Sequence, residues 1–327
     1  MRTLVTGGAG FIGSNLALRL ARDGRDVVAA DTFGEGRWRN LVEFVDAGGD
    51  VITMTHPLDL DIVDKLGPFD AVFHQASVTG VIGADGKADT SPAGSAAILR
   101  NNIEGFRMVL DRCVTWGSTL VWASSCSIYG RGPVPMRESA DPDPLNAYAF
   151  SKIAKERLAG RMAPNLAFAP VGLRYSNVYG PREDHKGPLA SMVHQLAKQM
   201  RIGKRPRIFE AGQQRRDFVY VDDVVEANLQ AEQASRNGTV AAGQVHVFNA
   251  GAGASWSFND LVASLNAELG TDLPPDYFPN PFDFTQDHTE TDITKAAEAF
   301  GYKPTHDLRS GVAAFAKTGH LGIAAGG

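Results

Sequence analysis

The stretch TLVTGGAGFIG, residues 3–13, constrains the fold of this chain more than any other, because it runs a strand, a tight turn and a helix start together. The apolar segment TLVTG meets glycines at 7, 10 and 13, and a helical pattern follows over 11–23. Glycines at that spacing let the backbone turn sharply and leave room for a phosphate at the positive end of the helix. An acid, Asp31, closes the next strand-like run, DVVAAD at 26–31. Strand, glycine turn, helix, strand and terminal acid in that order predict a dinucleotide site. Its expected contacts are Gly7, Gly10, Phe11, Ile12 and Gly13 at the phosphates, with Asp31 and Thr32 at the adenosine ribose.

Asp31 favours NAD, since a carboxylate accepts hydrogen bonds from ribose hydroxyls. Arg37 and Arg39 follow shortly after and could clamp the 2′-phosphate of NADP, so the choice between the two cofactors stays open. Asp59 and Leu60, after the third strand, are placed either to cap a helix or to meet the adenine.

Apolar runs without alternation recur at 50–54, 71–76, 119–125 and 167–176, separated by amphipathic stretches, clearest at 93–114 and 146–162. Strands of that kind are buried on both faces, which predicts a parallel sheet between helical layers. Right-handed crossovers then make it a doubly wound α/β domain. The pattern loosens after about residue 176, where short strand-like pieces, a further strand at 246–253 and helices at 257–269 and 307–317 predict a smaller lobe. The expected division is a dinucleotide-binding domain over 1–176, with return segments near 216–250. The smaller carboxy-terminal α/β substrate lobe takes 177–215 and 251–327.

At 327 residues and 43% hydrophobic content the chain can bury one sizeable core and a smaller one. A net charge of −5 gives no basic stripe for nucleic acid and no polybasic membrane patch. No apolar run approaches the ~20 residues of a membrane span, and a strand begins almost at Met1, where a signal peptide would stand. Cys113 and Cys126 have neither metal nor disulfide spacing, and His56, His74, His185 and His194 show no ligand spacing. The expectation is a cytoplasmic protein without a metal.

Chemistry enters at LNAYAFSKIAKE, 145–156, where Tyr148 and Lys152 stand four apart on one helical face. An ammonium beside a phenol favours the phenolate, which predicts a Tyr148 pKa below its usual value of about 10. Lys152 can also bond the nicotinamide ribose. Upstream, WASSCSIYG at 122–130 ends a strand on Ser124 and Ser125, and a hydroxyl at that sheet edge can polarise a substrate oxygen beside Tyr148.

Together TGGAGFIG, HQAS (74–77), the NxxG of NIEG (102–105), the serine before YG, YxxxK and LRYSNVYGPR resemble the extended short-chain dehydrogenase/reductase superfamily, from residue 1 to about 317. The resemblance implies a Rossmann domain holding NAD or NADP tightly, a lobe for a nucleotide-diphosphate sugar, and transient oxidation of that sugar. It adds Gln75, Ala76, Asn102 and Val178 to the cofactor contacts, beside Tyr148 and Lys152. It implies substrate contacts at Ser77, Thr79, Ser125, Asn177, Phe209, Glu210 and Arg216, the last as a diphosphate fork. It also implies a homodimer through the helices near 93–114 and 146–162.

Within the superfamily, 4,6-dehydratases usually carry an acid after the catalytic serine or threonine, where this chain has Cys126 and Ser127. Uridine-sugar 4-epimerases typically have an Arg-x-Gly-Asp stretch in the late lobe, whereas PFDFTQDHTETDI, 281–293, has no arginine. NVYGPREDHKGPLASM and IFEAGQQRRDFVYVDDV resemble the ADP-glycero-manno-heptose 6-epimerases, in which a lysine at the HKG position is a second acid/base. That resemblance makes Lys186 a catalytic residue alongside Ser125, Tyr148 and Lys152, facing Tyr148 across the substrate. Pro188 and Asp184 depart from the pattern, as does the segment 77–95 with its glycines and aliphatics. The alternatives are a UDP-sugar 4-epimerase of the UDP-glucose or UDP-glucuronate type, a keto-sugar-nucleotide reductase, or a non-catalytic NAD(P)-sensing protein.

Overall fold

The computed structural model describes residues 1–56, 61–80, 91–280 and 286–321. Asp59, Leu60, most of the 77–95 segment and the start of the 281–293 segment lie outside the described residues.

The strands β1 (Arg2–Thr6), β2 (Asp26–Asp31), β3 (Asp50–Thr53), β4 (Ala71–His74), β5 (Thr119–Ser125) and β6 (Val171–Tyr175) join His246–Ala250 in one seven-stranded sheet. Its order is His246–Ala250, β6, β5, β4, β1, β2, β3, and every pairing is parallel. Neighbouring side chains on each strand enter different cores. Leu4, Val28, Val72 and Leu120 pack with Phe106, Val109 and Leu110 of the Pro92–Trp116 helix. Val5, Ala29, Phe73 and Val121 pack on the other face with Leu16, Leu20 and Val224. Burial on both faces is why these strands read as unbroken apolar runs.

The order places the crevice. Thr6 pairs with Ala30 on one side and His74 on the other, so the chain leaves β1 between two strands whose connections run to opposite directions. The loops after β1 and β4 part there, at the carboxyl edge of the sheet, where open α/β sheets bind ligands. Helix α1 (Phe11–Arg22) opens directly into this gap.

A third core gathers Tyr179, Val193, Leu196, Ile208, Phe218, Leu261, Val312 and Phe315, from the helices Met192–Arg201, Phe258–Leu269 and Leu308–Lys317 and short paired strands. The helix Val221–Arg236 returns to the sheet, and sequence periodicity does not single it out. Its apolar pattern is broken by polar residues that are nonetheless buried: Asn228 bonds Tyr175, and Glu232 pairs with Arg25 and Arg236. Among the described residues no helix is long and apolar enough to cross a membrane, and no group of three or more His, Cys, Asp or Glu could hold a metal. Cys113 and Cys126 are buried free thiols.

Candidate active site

The glycine turn is built so that no side chain fits. Gly7 has φ of 69°, and a Cβ on it would stand 2.7 Å from the Ala76 nitrogen. Helix α1 starts with Gly10 as its N-cap and no side-chain hydrogen bond to its first amides. Those amides are left for an anion, so the turn fits a dinucleotide diphosphate. Gly7, Gly10, Phe11, Ile12 and Gly13 line a cavity of about 520 Å³ that also takes in Asp31, Thr32, Gln75, Ala76, Asn102 and Val178.

At the end of β2, Asp31 accepts from the backbone of Ala9 at 2.9 Å and Phe33 at 2.8 Å, and burial pushes its pKa up despite them. Arg37 donates instead to the carbonyls of Glu35 and Gly36, both at 2.9 Å. Carboxylates of Asp31 and Glu35, rather than the Arg37 guanidinium, line this end of the cavity. Free ribose hydroxyls suit it better than a 2′-phosphate. Asn102 is buried and ties the loop after β4 to its helix, accepting from Val78 N at 2.8 Å and donating to Val78 O at 3.0 Å.

At the carboxyl end of β5, three consecutive residues meet one face of the helix Ala147–Met162. The Ala123 carbonyl accepts from Lys152 Nζ at 3.0 Å, Ser124 Oγ donates to Glu156 Oε1 at 2.6 Å, and Ser125 lines the cavity with Tyr148 and favours its phenolate. Lys152 is 1% exposed, also donates to Ser77 Oγ at 2.9 Å, and has Nζ 5.0 Å from the Tyr148 ring centre. Asn146 starts the helix by accepting from Ala149 N at 2.8 Å, which puts Tyr148 in the first turn, at the cavity.

The expected drop in the Tyr148 pKa is corrected here. Burial pushes the phenol up, and Ser125 only partly opposes it. Burial also pushes Lys152 down to about 7, against the pull of Glu156. Desolvation therefore outweighs the short-range attraction assumed from i, i+4 spacing alone.

Lys186 lines the same cavity. Its loop is anchored on α1: Asn15 Nδ2 donates to the Pro181 carbonyl at 3.0 Å, and Arg182 donates to Asn15 Oδ1 at 2.6 Å and Glu43 Oε1 at 2.5 Å. Buried Glu183 accepts from Gly180 N, Ser191 N and Ser191 Oγ. Nζ of Lys186 lies 5.4 Å from the Phe11 ring centre. Burial lowers its pKa, opposed by the carboxylates of Glu183 and Glu35.

Ser77 and Thr79 line the cavity, whereas Asn177, Phe209, Glu210 and Arg216 are outside its lining as described. Asn177 Nδ2 donates to the Asp217 carbonyl at 3.2 Å and Thr289 Oγ1 at 3.3 Å. Phe209 packs edge-on against Phe278, and Glu210, at φ of 51°, accepts from Asn280 N at 3.0 Å. Arg216 donates to the Arg215 carbonyl and lies over the Phe258 ring. Sequence reasoning missed Glu35, His185, Tyr175 and Ser176 in the lining and Glu156 behind Lys152. The spacing of Glu156, four after Lys152, is a signal that could have found it.

Residues 3–251 match the NAD dependent epimerase/dehydratase family. The ADP-L-glycero-D-manno-heptose-6-epimerase of Alkalilimnicola ehrlichii is 34% identical over 94% of both chains. The solved Helicobacter pylori enzyme of the same name superposes with a TM-score of 0.84 at 33% identity, over 98% of this chain and 96% of its own. The UDP-glucose 4-epimerase of Thermotoga maritima, solved with UDP-glucose, gives 0.83 at 30% identity over 97% and 98%. The Bacillus cereus UDP-glucuronic acid 4-epimerase, solved with NAD, gives 0.81 at 27% over 100% of both. A glycine turn with no space for a side chain, an acid at the end of β2 and a half-buried Tyr148 over a buried Lys152 in one crevice agree with these likenesses: the chain belongs to the NAD dependent epimerase/dehydratase family.

Proposed function

We propose that this protein epimerises C6 of an ADP-linked glycero-manno-heptose. One observation carries the reading: a single cavity is lined by the glycine turn, Ser125, Tyr148, Lys152 and Lys186 together. NAD supplies a reversible hydride acceptor there. Tyr148 takes the proton of the C6 hydroxyl while Ser125 donates to the same oxygen. Lys152 holds positive charge behind the phenolate. With NAD held in the glycine turn, which would accept hydride from C6 and give it back on the opposite face, the keto-sugar turns without leaving and Lys186 returns a proton to its oxygen.

In this reading residues 1–176, with the return segments near 216–250, hold the dinucleotide, and 177–215 with 251–327 hold the nucleotide sugar. A cytoplasmic homodimer is part of it. Ile103, Phe150, Ile153 and Leu158 form an apolar groove between the two long helices, and Phe150 is 49% exposed.

A second reading, a 4-epimerase of a UDP-sugar, is favoured by the place of Lys186, whose Nζ lies 5.4 Å from the ring centre of Phe11 on the first turn of α1. Proton NMR of ADP-D-glycero-manno-heptose with the purified protein and no added cofactor separates them. Appearance of the L-glycero epimer supports the 6-epimerase; an unchanged heptose with interconversion of UDP-glucose and UDP-galactose, or of the glucuronate pair, establishes the other.

A further inference from the structure

Behind Lys152 lies a buried charge cluster that the acid–base chemistry does not use directly. Glu156 follows Lys152 by one helical turn, and its side chain is 11% exposed. Arg174 on β6 grips it side-on, Nε to Oε1 at 3.0 Å and Nη2 to Oε2 at 2.7 Å, while Ser124 adds a third bond at 2.6 Å. The guanidinium continues away from Lys152, donating to Tyr129 Oη at 2.8 Å, which donates to Asn249 Oδ1 at 2.6 Å. The pair is thus an oriented dipole with its carboxylate bound to Ser124, next to the carbonyl that holds Lys152.

We propose that Glu156 is a positioning residue for the reaction: clamped by Ser124 and Arg174, its carboxylate keeps the proton on Lys152 rather than letting it pass to the Tyr148 phenolate. The inference rests on the reading of Tyr148 and Lys152 as the acid–base pair. When that pair loses one proton, two arrangements compete, phenolate with ammonium and phenol with amine. Only the first provides a base. Burial of Lys152 favours the second, and Glu156 is the carboxylate that opposes it.

The other groups around Lys152 do not supply this charge. Lys155, on the same helix, is buried and held well below its usual pKa. His74 on β4, within 2.8 Å of Thr6 Oγ1, is likewise held below its usual value by burial and by both lysines. The Cys126 thiol after β5 and the Tyr175 phenol on β6 are pushed up by burial and stay neutral. Arg174 is a cation that does not deprotonate in proteins. Removing the Glu156 charge therefore leaves two buried cations, and Lys152 is the one able to give up its proton.

The test is a titration of Tyr148 by near-ultraviolet phenolate absorbance in the NAD-bound protein, each variant read against its Tyr148→Phe counterpart. Glu156→Gln is expected to raise the phenolate midpoint by about one pH unit or more, and Glu156→Asp to restore it. An unchanged midpoint in folded Glu156→Gln overturns the proposal and makes the cluster structural only. Should Glu156→Gln fail to fold, Ser124→Ala decides: a raised midpoint supports the proposal and an unchanged one overturns it. No sugar is needed, so failure to turn over any nucleotide sugar tested would sink the proposed function and leave this titration readable.

Discussion

Gly13 and Gly7 stand so close that a Cβ on Gly13 would lie 2.1 Å from the Gly7 carbonyl oxygen. The contact seats the first turn of α1 directly on the turn that leaves β1. Gly13→Ala must push these backbones apart, at about 1–3 kcal/mol. The expected outcome is a melting temperature lower by several degrees, together with a weaker affinity for added NAD in a fluorescence titration. Unchanged affinity at wild-type stability would show that the turn has room it lacks here.

Tyr148→Phe removes the phenol hydroxyl and leaves Lys152 with its bonds to Ser77 and Ala123. Turnover should fall by roughly 10²–10⁴-fold, the usual worth of a positioned acid–base group. Cofactor content, measured after denaturing extraction, should stay at the wild-type level. A parallel loss of cofactor would assign the residue to binding instead.

Lys186→Met keeps a side chain of similar length and deletes the charge that lies 5.4 Å from the Phe11 ring centre. On a C6 substrate the expected drop is about 10²-fold or more in kcat, with the fold unchanged by circular dichroism. If the variant turns over a UDP-sugar at the wild-type rate, the second-base role is lost.

Asp217 gives a pH prediction with a definite sign. It is fully buried and accepts from Thr291 N at 3.0 Å, Thr291 Oγ1 at 2.5 Å and Ala252 N at 2.7 Å, yet burial pushes it up to about 6 from 3.8. Between those values the native state holds a proton that the unfolded chain has released. Its contribution to stability is therefore full below 3.8 and declines as pH rises to about 6. Asp217→Asn turns an amide towards donors on one side and should cost about 1–3 kcal/mol at neutral pH. Melting curves across this window should also show a flatter pH dependence in the variant.

The first half of the fold was legible because its signals are local. β2 and β5 fall where unbroken apolar runs put them, at Asp26–Asp31 and Thr119–Ser125, since a strand buried on both faces has no polar alternation to confuse it. The helix Val221–Arg236 was not legible for the opposite reason, with Asn228 and Glu232 buried by partners far away in the chain. In the site, the glycine turn and the spacing of Tyr148 and Lys152 could be read directly, but the charge states of that pair could not.

The sequence by itself determined the parallel α/β architecture, the diphosphate turn and the shared face of Tyr148 and Lys152, because strand runs, glycine spacing and helical repeat are properties of neighbouring residues. The tertiary structure alone decided the order of the strands, the turn of Arg37 onto its own backbone, and the position of Lys186 among Phe11, Glu35 and Glu183. It also decided that Tyr148 is raised and Lys152 lowered, with Glu156 and Arg174 behind them. Desolvation and Coulomb terms sum over whatever surrounds a group in space, and those neighbours, Glu156 on the same helix aside, come from β4, β5 and β6, strands separated by long stretches of chain.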